Sequence, residues 1–263
     1  MKNYIFQALT IVMLLTFSSM HPLDTLAQGQ ISRPTKNKSK ETTGTHKKHS
    51  NAQNRGRVSG SSQQIHKVSE PDGYVNGHGY VDLGLPSGTK WATCNVGATS
   101  PEGYGSYFAW GDTEPKSDYS PSNCRTQHVG DYRYRSETNK ITNSEKSLNK
   151  SYDAASANWG ESWRMPTGVE LMELKEKCFW TWTSYGGIKG YFGIGPNGKS
   201  IFLPAAGSYT GTTLYGAGNN GIYWSSTFIN DRYTLSFFFR DTLDQEFQGG
   251  RFNGHSVRPI VDF

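Results

Sequence analysis

Gly221-Ile222-Tyr223-Trp224-Ser225-Ser226 and, a short way on, Tyr233-Thr234-Leu235-Ser236-Phe237-Phe238-Phe239 are the stretches whose reading decides the fold. Both are short, aromatic and flanked by turn-forming residues, the composition of half-buried strands. In the second, Tyr233, Leu235, Phe237 and Phe239 alternate onto one face and are expected to line a core. Thr234, Ser236, Phe238 and Arg240 then point the other way. An outward Phe beside an Arg is an unfavourable surface unless something covers it, because aromatic and Arg side chains supply binding hot spots.

Further strands are expected on either side. Tyr80-Val81-Asp82-Leu83 and Thr89-Lys90-Trp91-Ala92-Thr93-Cys94 alternate across Pro86-Ser87-Gly88, and Ser106 to Trp110 reads as a third. Trp180 to Thr183, Lys199 to Leu203 and His255 to Ile260 follow. Two helices break the series. Asp153 to Ala157 is alanine-rich. After Pro166, Thr167 and Glu170 form a capping box, and Leu171, Leu174 and Cys178 share one face. The class is α+β, a twisted antiparallel sheet with two helices and long loops. Residues 111–149 form a polar excursion too long for a simple loop. A domain of about 190 residues buries around 70% of its unfolded surface, so it needs no metal to fold.

Charge divides the chain of 263 residues. Residues 28–70 carry nine Lys/Arg against two Asp/Glu, and residues 71–263 carry seventeen against nineteen. The basic balance thus belongs to the segment before the domain, which argues against nucleic acid as a partner. That segment has no aromatic residue and reads as a disordered linker, either a solvated spacer or a contact to anionic envelope surfaces. Met1 to Ala27 has a short positive start, an apolar centre at Ile11-Val12-Met13-Leu14-Leu15 and small residues around Thr25-Leu26-Ala27. It reads as a cleavable signal peptide, with a membrane anchor as the alternative. No Cys precedes Cys94, so no lipid-attachment cysteine is present. The expected location is secreted, cell-surface or periplasmic. Cys94, Cys124 and Cys178 are an odd number. A bridge between Cys94 and Cys178 is one possibility, and three free thiols the other.

Several segments together carry a resemblance. They are Gly79 to Gly88, Trp91-Ala92-Thr93-Cys94-Asn95-Val96-Gly97-Ala98, Tyr107-Phe108-Ala109-Trp110-Gly111 and Ala157-Asn158-Trp159-Gly160. Trp163-Arg164-Met165-Pro166-Thr167, Phe202-Leu203-Pro204-Ala205-Ala206-Gly207, Tyr223-Trp224-Ser225-Ser226-Thr227 and Ser256-Val257-Arg258-Pro259-Ile260 complete the set. Over 78–261 the chain resembles the Fibrobacter succinogenes major paralogous domain, a family of exported bacterial domains. The resemblance implies a C-type-lectin-like fold, related to that of the formylglycine-generating enzymes. It also implies that residues between the Trp-Ser-Ser-Thr and Val-Arg-Pro segments can form a binding face, as in similar ligand-binding proteins. The cysteine pair of the formylglycine-generating enzymes is missing, since no Cys follows Cys178.

Catalysis is not expected. Of His78, His128 and His255, none lies beside a nucleophile in a recognisable motif, and the Asp and Glu residues are too scattered to nominate a pair. No cofactor is expected. Calcium is the one weak alternative: Asp241, Asp244 and Glu246 could cluster, but in Glu114-Pro115-Lys116 a lysine would repel the cation. Trp163 reads as a core anchor, and Arg164 and Arg258 as structural ion-pair or carbonyl-binding groups. The candidate ligand-binding residues are Asn230, Asp231, Arg232, Phe238, Arg240, Phe247, Arg251 and Phe252, a mixture of rigid aromatics, Arg and Asn suited to recognition. The expected partner is an extracellular glycan or protein. A structural envelope protein without a discrete ligand site, and an enzyme related to the formylglycine-generating fold, are the alternatives.

Overall fold

Asn76 and Gly77, both at positive φ, make the tight turn with which the folded domain begins its first sheet. A two-residue turn of this kind matches the twist of a hairpin, and Asn-Gly is its preferred sequence. The computed structural model describes residues 67–126, 140–230 and 233–263. The expected export signal, the linker up to residue 66, and Asp231 and Arg232 lie outside the described residues.

In chain order the strands are β1 (Gly73–Val75), β2 (His78–Asp82), β3 (Lys90–Ala92), β4 (Trp163–Arg164), β5 (Phe179–Tyr185), β6 (Ile188–Ile194) and β7 (Ser200–Pro204). They continue with β8 (Ser208–Thr210), β9 (Thr213–Tyr215), β10 (Asn220–Phe228), β11 (Tyr233–Arg240), β12 (Leu243–Gly250) and β13 (Ile260–Val261). Among the described residues the α-helices α1 (Ala154–Trp159) and α2 (Gly168–Lys177) lie between β3 and β5, and Lys140 and Ile141 are also helical. The class is α+β, with every pairing between named strands antiparallel.

The first sheet runs β1-β2-β3-β13-β4, so Ile260 near the C-terminus lies between Trp91 and Arg164. The second runs β5-β6-β7, the third β10-β11-β12, and β8 and β9 form a ribbon. Gly190 in β6 must lack a side chain, because a Cβ there would run into the Leu203 carbonyl of β7.

Two apolar clusters fill the spaces between these layers. One gathers Leu83, Trp91, Leu171, Leu174, Leu203 and Tyr223 with Phe237 and Phe239 of β11. Tyr191 and Phe239 stack there at 4.6 Å. The other gathers Phe108, Trp110, Trp159, Trp163, Trp224 and Val257. Each fully buried ring of this kind contributes roughly 1.5–3 kcal/mol.

Both helices are capped by side chains, and the second starts as its sequence predicts. Asp153 caps α1 by accepting from the amides of Ala155 and Ser156 at 2.8 and 3.1 Å, and its second oxygen accepts from the Met165 amide. Thr167 and Glu170 form the capping box of α2. Glu170 also takes two bonds from Arg164, at 2.7 and 2.8 Å, which tie the helix start to β4. Replacing Thr167 by Ala removes the cap and loosens this carboxylate. We expect a loss of about 1–2 kcal/mol, read from the denaturation midpoint.

The structure corrects four expectations. Residues 67–70 belong to the folded domain rather than to a linker: Val68 is buried against Phe192 and Phe202, and Ser69 bonds to Ser200 of β7. Ser106 to Trp110 is not a strand. Only Phe108 bridges, to His255, between a positive-φ Gly105 and a turn from Ala109 to Asp112. His255 to Ile260 is not one strand: His255 and Ser256 make isolated bridges to Phe108 and Tyr223, and ladder pairing begins at Ile260. Thr234 and Ser236, expected to face outward, are fully buried, while Tyr233, expected to line the core, is exposed. The same face of the sheet carries Trp224 of β10, the register partner of Ser236. The Trp224 indole donates to the Phe108 carbonyl and its ring packs on His255.

Candidate functional site

The third sheet carries three of the six described candidate residues, Phe238, Arg240 and Phe247, and Asn230, Arg251 and Phe252 lie just beyond its strands. Arg251 is the clearest correction. It is buried, with its guanidinium 4.7 Å from the Trp110 ring and 4.6 Å from that of Phe228. Its Nη1 donates to the Thr126 carbonyl at 2.9 Å and its Nη2 to the Asn230 carbonyl at 2.7 Å. Two ring faces and fixed carbonyl dipoles replace the water that a surface Arg would keep. Arg251 therefore locks the excursion and the β10–β11 turn onto the core, and it does not face a ligand. Asn230 is exposed, but its side-chain oxygen is engaged by the Tyr233 amide at 2.9 Å.

Phe238 and Phe247 remain partly open. They pack on each other across β11 and β12, with ring centroids 6.0 Å apart. Arg240 is exposed at the end of β11, and Phe252 is half-buried just beyond β12. Among the described residues β12 pairs only with β11 and is the last strand of its sheet. Between α2 and this sheet runs a shallow groove of about 380 Å³, lined by Val169, Met172, Thr227, Leu235 and Glu246. Glu173, Glu176 and Lys177 also line the groove, so its apolar floor has a charged rim.

The oxygen cluster suggested for calcium does not assemble. Asp244 pairs with Lys175 at 3.4 Å, while Asp241 and Glu246 are exposed. Among the described residues no group of three or more His, Cys, Asp or Glu side chains could hold a metal ion. At Glu114-Pro115-Lys116, the Lys116 ammonium itself occupies the local oxygens, 2.7 Å from Asp112 and 2.5 Å from the Asn123 carbonyl.

The three cysteines are free thiols, so the suggested bridge between Cys94 and Cys178 is not formed. Cys178 caps the end of α2 in the first apolar cluster, and burial pushes its thiol up to about 12. It is therefore no nucleophile near neutrality.

Sequence reasoning missed a second concavity. A cleft of about 520 Å³ lies beside the β1–β2 hairpin. Tyr74, His78, Trp159 and Tyr185 line it, with Glu70 and Cys94. His78 stacks flat on Trp159 at 3.8 Å and meets Trp163 edge-on. The Cys94 thiol lies 3.7 Å from the Thr93 hydroxyl. The density of rings around Tyr74-Val75-Asn76-Gly77-His78-Gly79-Tyr80 was the available signal.

No protein-family model, no curated protein and no solved structure matches the chain.

Proposed function

We propose that the chain is an exported, non-catalytic recognition domain with a C-type-lectin-like fold, akin to the Fibrobacter succinogenes major paralogous domains. Its ligand is an extracellular glycan or protein that covers the β11–β12 face. The half-open pair Phe238 and Phe247, on the last two strands of the third sheet, carries this reading. Rigid aromatic rings on a sheet supply contact area at little entropy cost. Arg240 and Phe252 extend the surface. The fold reading draws support from the pairing of β3 with β13, which closes the domain start onto its end. It also draws support from the structural use of Trp163 and Arg258 within the segments that carry the resemblance. The basic linker before the domain provides a tether that can meet anionic envelope polymers.

A glycan array and a displayed-peptide library, each read with and without a chelator, test the proposal. A ligand from either, lost at least about tenfold when Phe238 and Phe247 both become Ala, is the expected outcome. Indifference to the chelator would dismiss calcium. The burial of Arg251, Thr234 and Ser236 favours one competitor, a structural envelope protein. That reading gains if neither collection yields a ligand sensitive to the double substitution.

A further inference from the structure

We propose that the cleft beside the β1–β2 hairpin binds a small organic ammonium ion. Four aromatic rings, from Tyr74, His78, Trp159 and Tyr185, wall a concavity of about 520 Å³. The face of an aromatic ring is electronegative, and such walls attract an ammonium group while tolerating its methyl or methylene substituents. The charges agree. Glu70 is the one carboxylate among the described lining residues, and neither Lys nor Arg is among them. Burial lowers the His78 pKa from its ordinary value, which disfavours a positive charge on this ring.

Glu70 is poorly committed elsewhere. Its ion pair with Lys67, at 3.4 Å, joins two side chains that are 80% and 76% exposed. Exposed pairs of this kind contribute little, so a cation seated in the cleft competes easily. The floor is firm. Trp159 is almost wholly buried at the end of α1, and Asn76 donates to its carbonyl at 2.8 Å, fixing the hairpin over the helix. The site is thus preformed, the usual condition of small-molecule pockets. It shares no residue with the β11–β12 face, and its occupancy does not depend on that face having a ligand.

Choline is the probe, titrated into the domain at constant ionic strength and followed by calorimetry and tryptophan fluorescence. The control is 3,3-dimethylbutan-1-ol, of the same shape without the charge. Ethanolamine separates a quaternary from a primary ammonium. We expect saturable choline binding, at least about tenfold tighter than the alcohol. Glu70→Gln and Tyr74→Ala each should weaken it by about fivefold or more. Glu70 and Tyr74 are exposed, so both variants keep the fold, which an unchanged melting temperature verifies. Equal binding of the uncharged alcohol would overturn the proposal. So would variants that bind as the parent does, or the lack of any saturable signal up to about 20 mM for either ammonium.

Discussion

Replacing Arg258 by Met should lower the unfolding free energy by about 4 kcal/mol or more, the largest loss expected from any single polar substitution in this domain. Arg258 is 1% exposed. Its Nε donates to the Asn95 side chain at 2.8 Å, Nη1 to the carbonyls of Ala92 and Thr93 at 3.2 and 3.0 Å, and Nη2 to the Phe202 carbonyl at 2.9 Å. One guanidinium thus satisfies four acceptors from two separate parts of the chain, residues 92–95 and Phe202. Methionine fills much of the volume but donates nothing. Each orphaned acceptor costs about 1–3 kcal/mol, partly relieved by repacking. Lysine keeps the charge on a flexible stem with compact donors, and it cannot reproduce the planar fork. We therefore expect Arg258→Lys to lose nearly as much. Denaturant titration of both variants measures the loss, which corresponds to a melting temperature lower by roughly 8–16 °C for a domain of this size. A loss under about 1 kcal/mol for Arg258→Met would show that water reaches these carbonyls and that the guanidinium is not their main partner.

The same side chains show where local sequence informs and where it does not. The Thr167 and Glu170 spacing placed the start of α2 because a capping box is a contact within one turn. Trp163 and Arg258 were readable as structural because Trp and Arg in that setting have few other uses. Arg251 was not. The rings that sandwich it, Trp110 and Phe228, are distant in sequence, and nothing near Arg251 announces them. Thr234 and Ser236 failed for a related reason. Alternation assumes one wetted face, yet here segments around Phe108 and His255 cover that face too. β12 escaped notice because Leu243-Asp244-Gln245-Glu246-Phe247-Gln248-Gly249-Gly250 has poor strand propensity. Its pairing with β11 imposes the extended form, residue by residue from Arg240 and Leu243 to Tyr233 and Gly250. Asn76-Gly77 was legible and overlooked, and with it the hairpin that shapes the aromatic cleft.

Acidification should destabilise the domain through His255, and His255→Phe should remove that sensitivity. His255 is 1% exposed, packs 4.0 Å from Trp224, and neither ring nitrogen makes a hydrogen bond of ordinary geometry among the described residues. Burial lowers its pKa from 6.5 to about 3. The folded state therefore refuses a proton that the unfolded chain accepts. Stability from the neutral ring is complete above pH 6.5 and is lost as pH falls toward about 3. The difference between parent and variant should change by about 5 kcal/mol across that window.

Asp153 works in the opposite sense. Burial raises its carboxyl from 3.8 to about 6, against the pull of its bonds to the Met165, Ser156 and Ala155 amides. Its folded form binds the proton more readily, so stability is gained as pH falls from about 6 to 3.8, by about 3 kcal/mol. From these two groups the parent domain should change little between pH 6 and 4. His255→Phe unmasks the Asp153 gain and should grow more stable over that interval. Phenylalanine fits beside Trp224 and keeps the backbone bonds to Phe108, so the variant should fold. Urea titrations of parent and variant from pH 7 to pH 3 decide the matter. A stability difference that stays constant across those pH values would mean that the imidazole is protonated inside the fold, with water or a neighbour reaching a ring that the packing encloses.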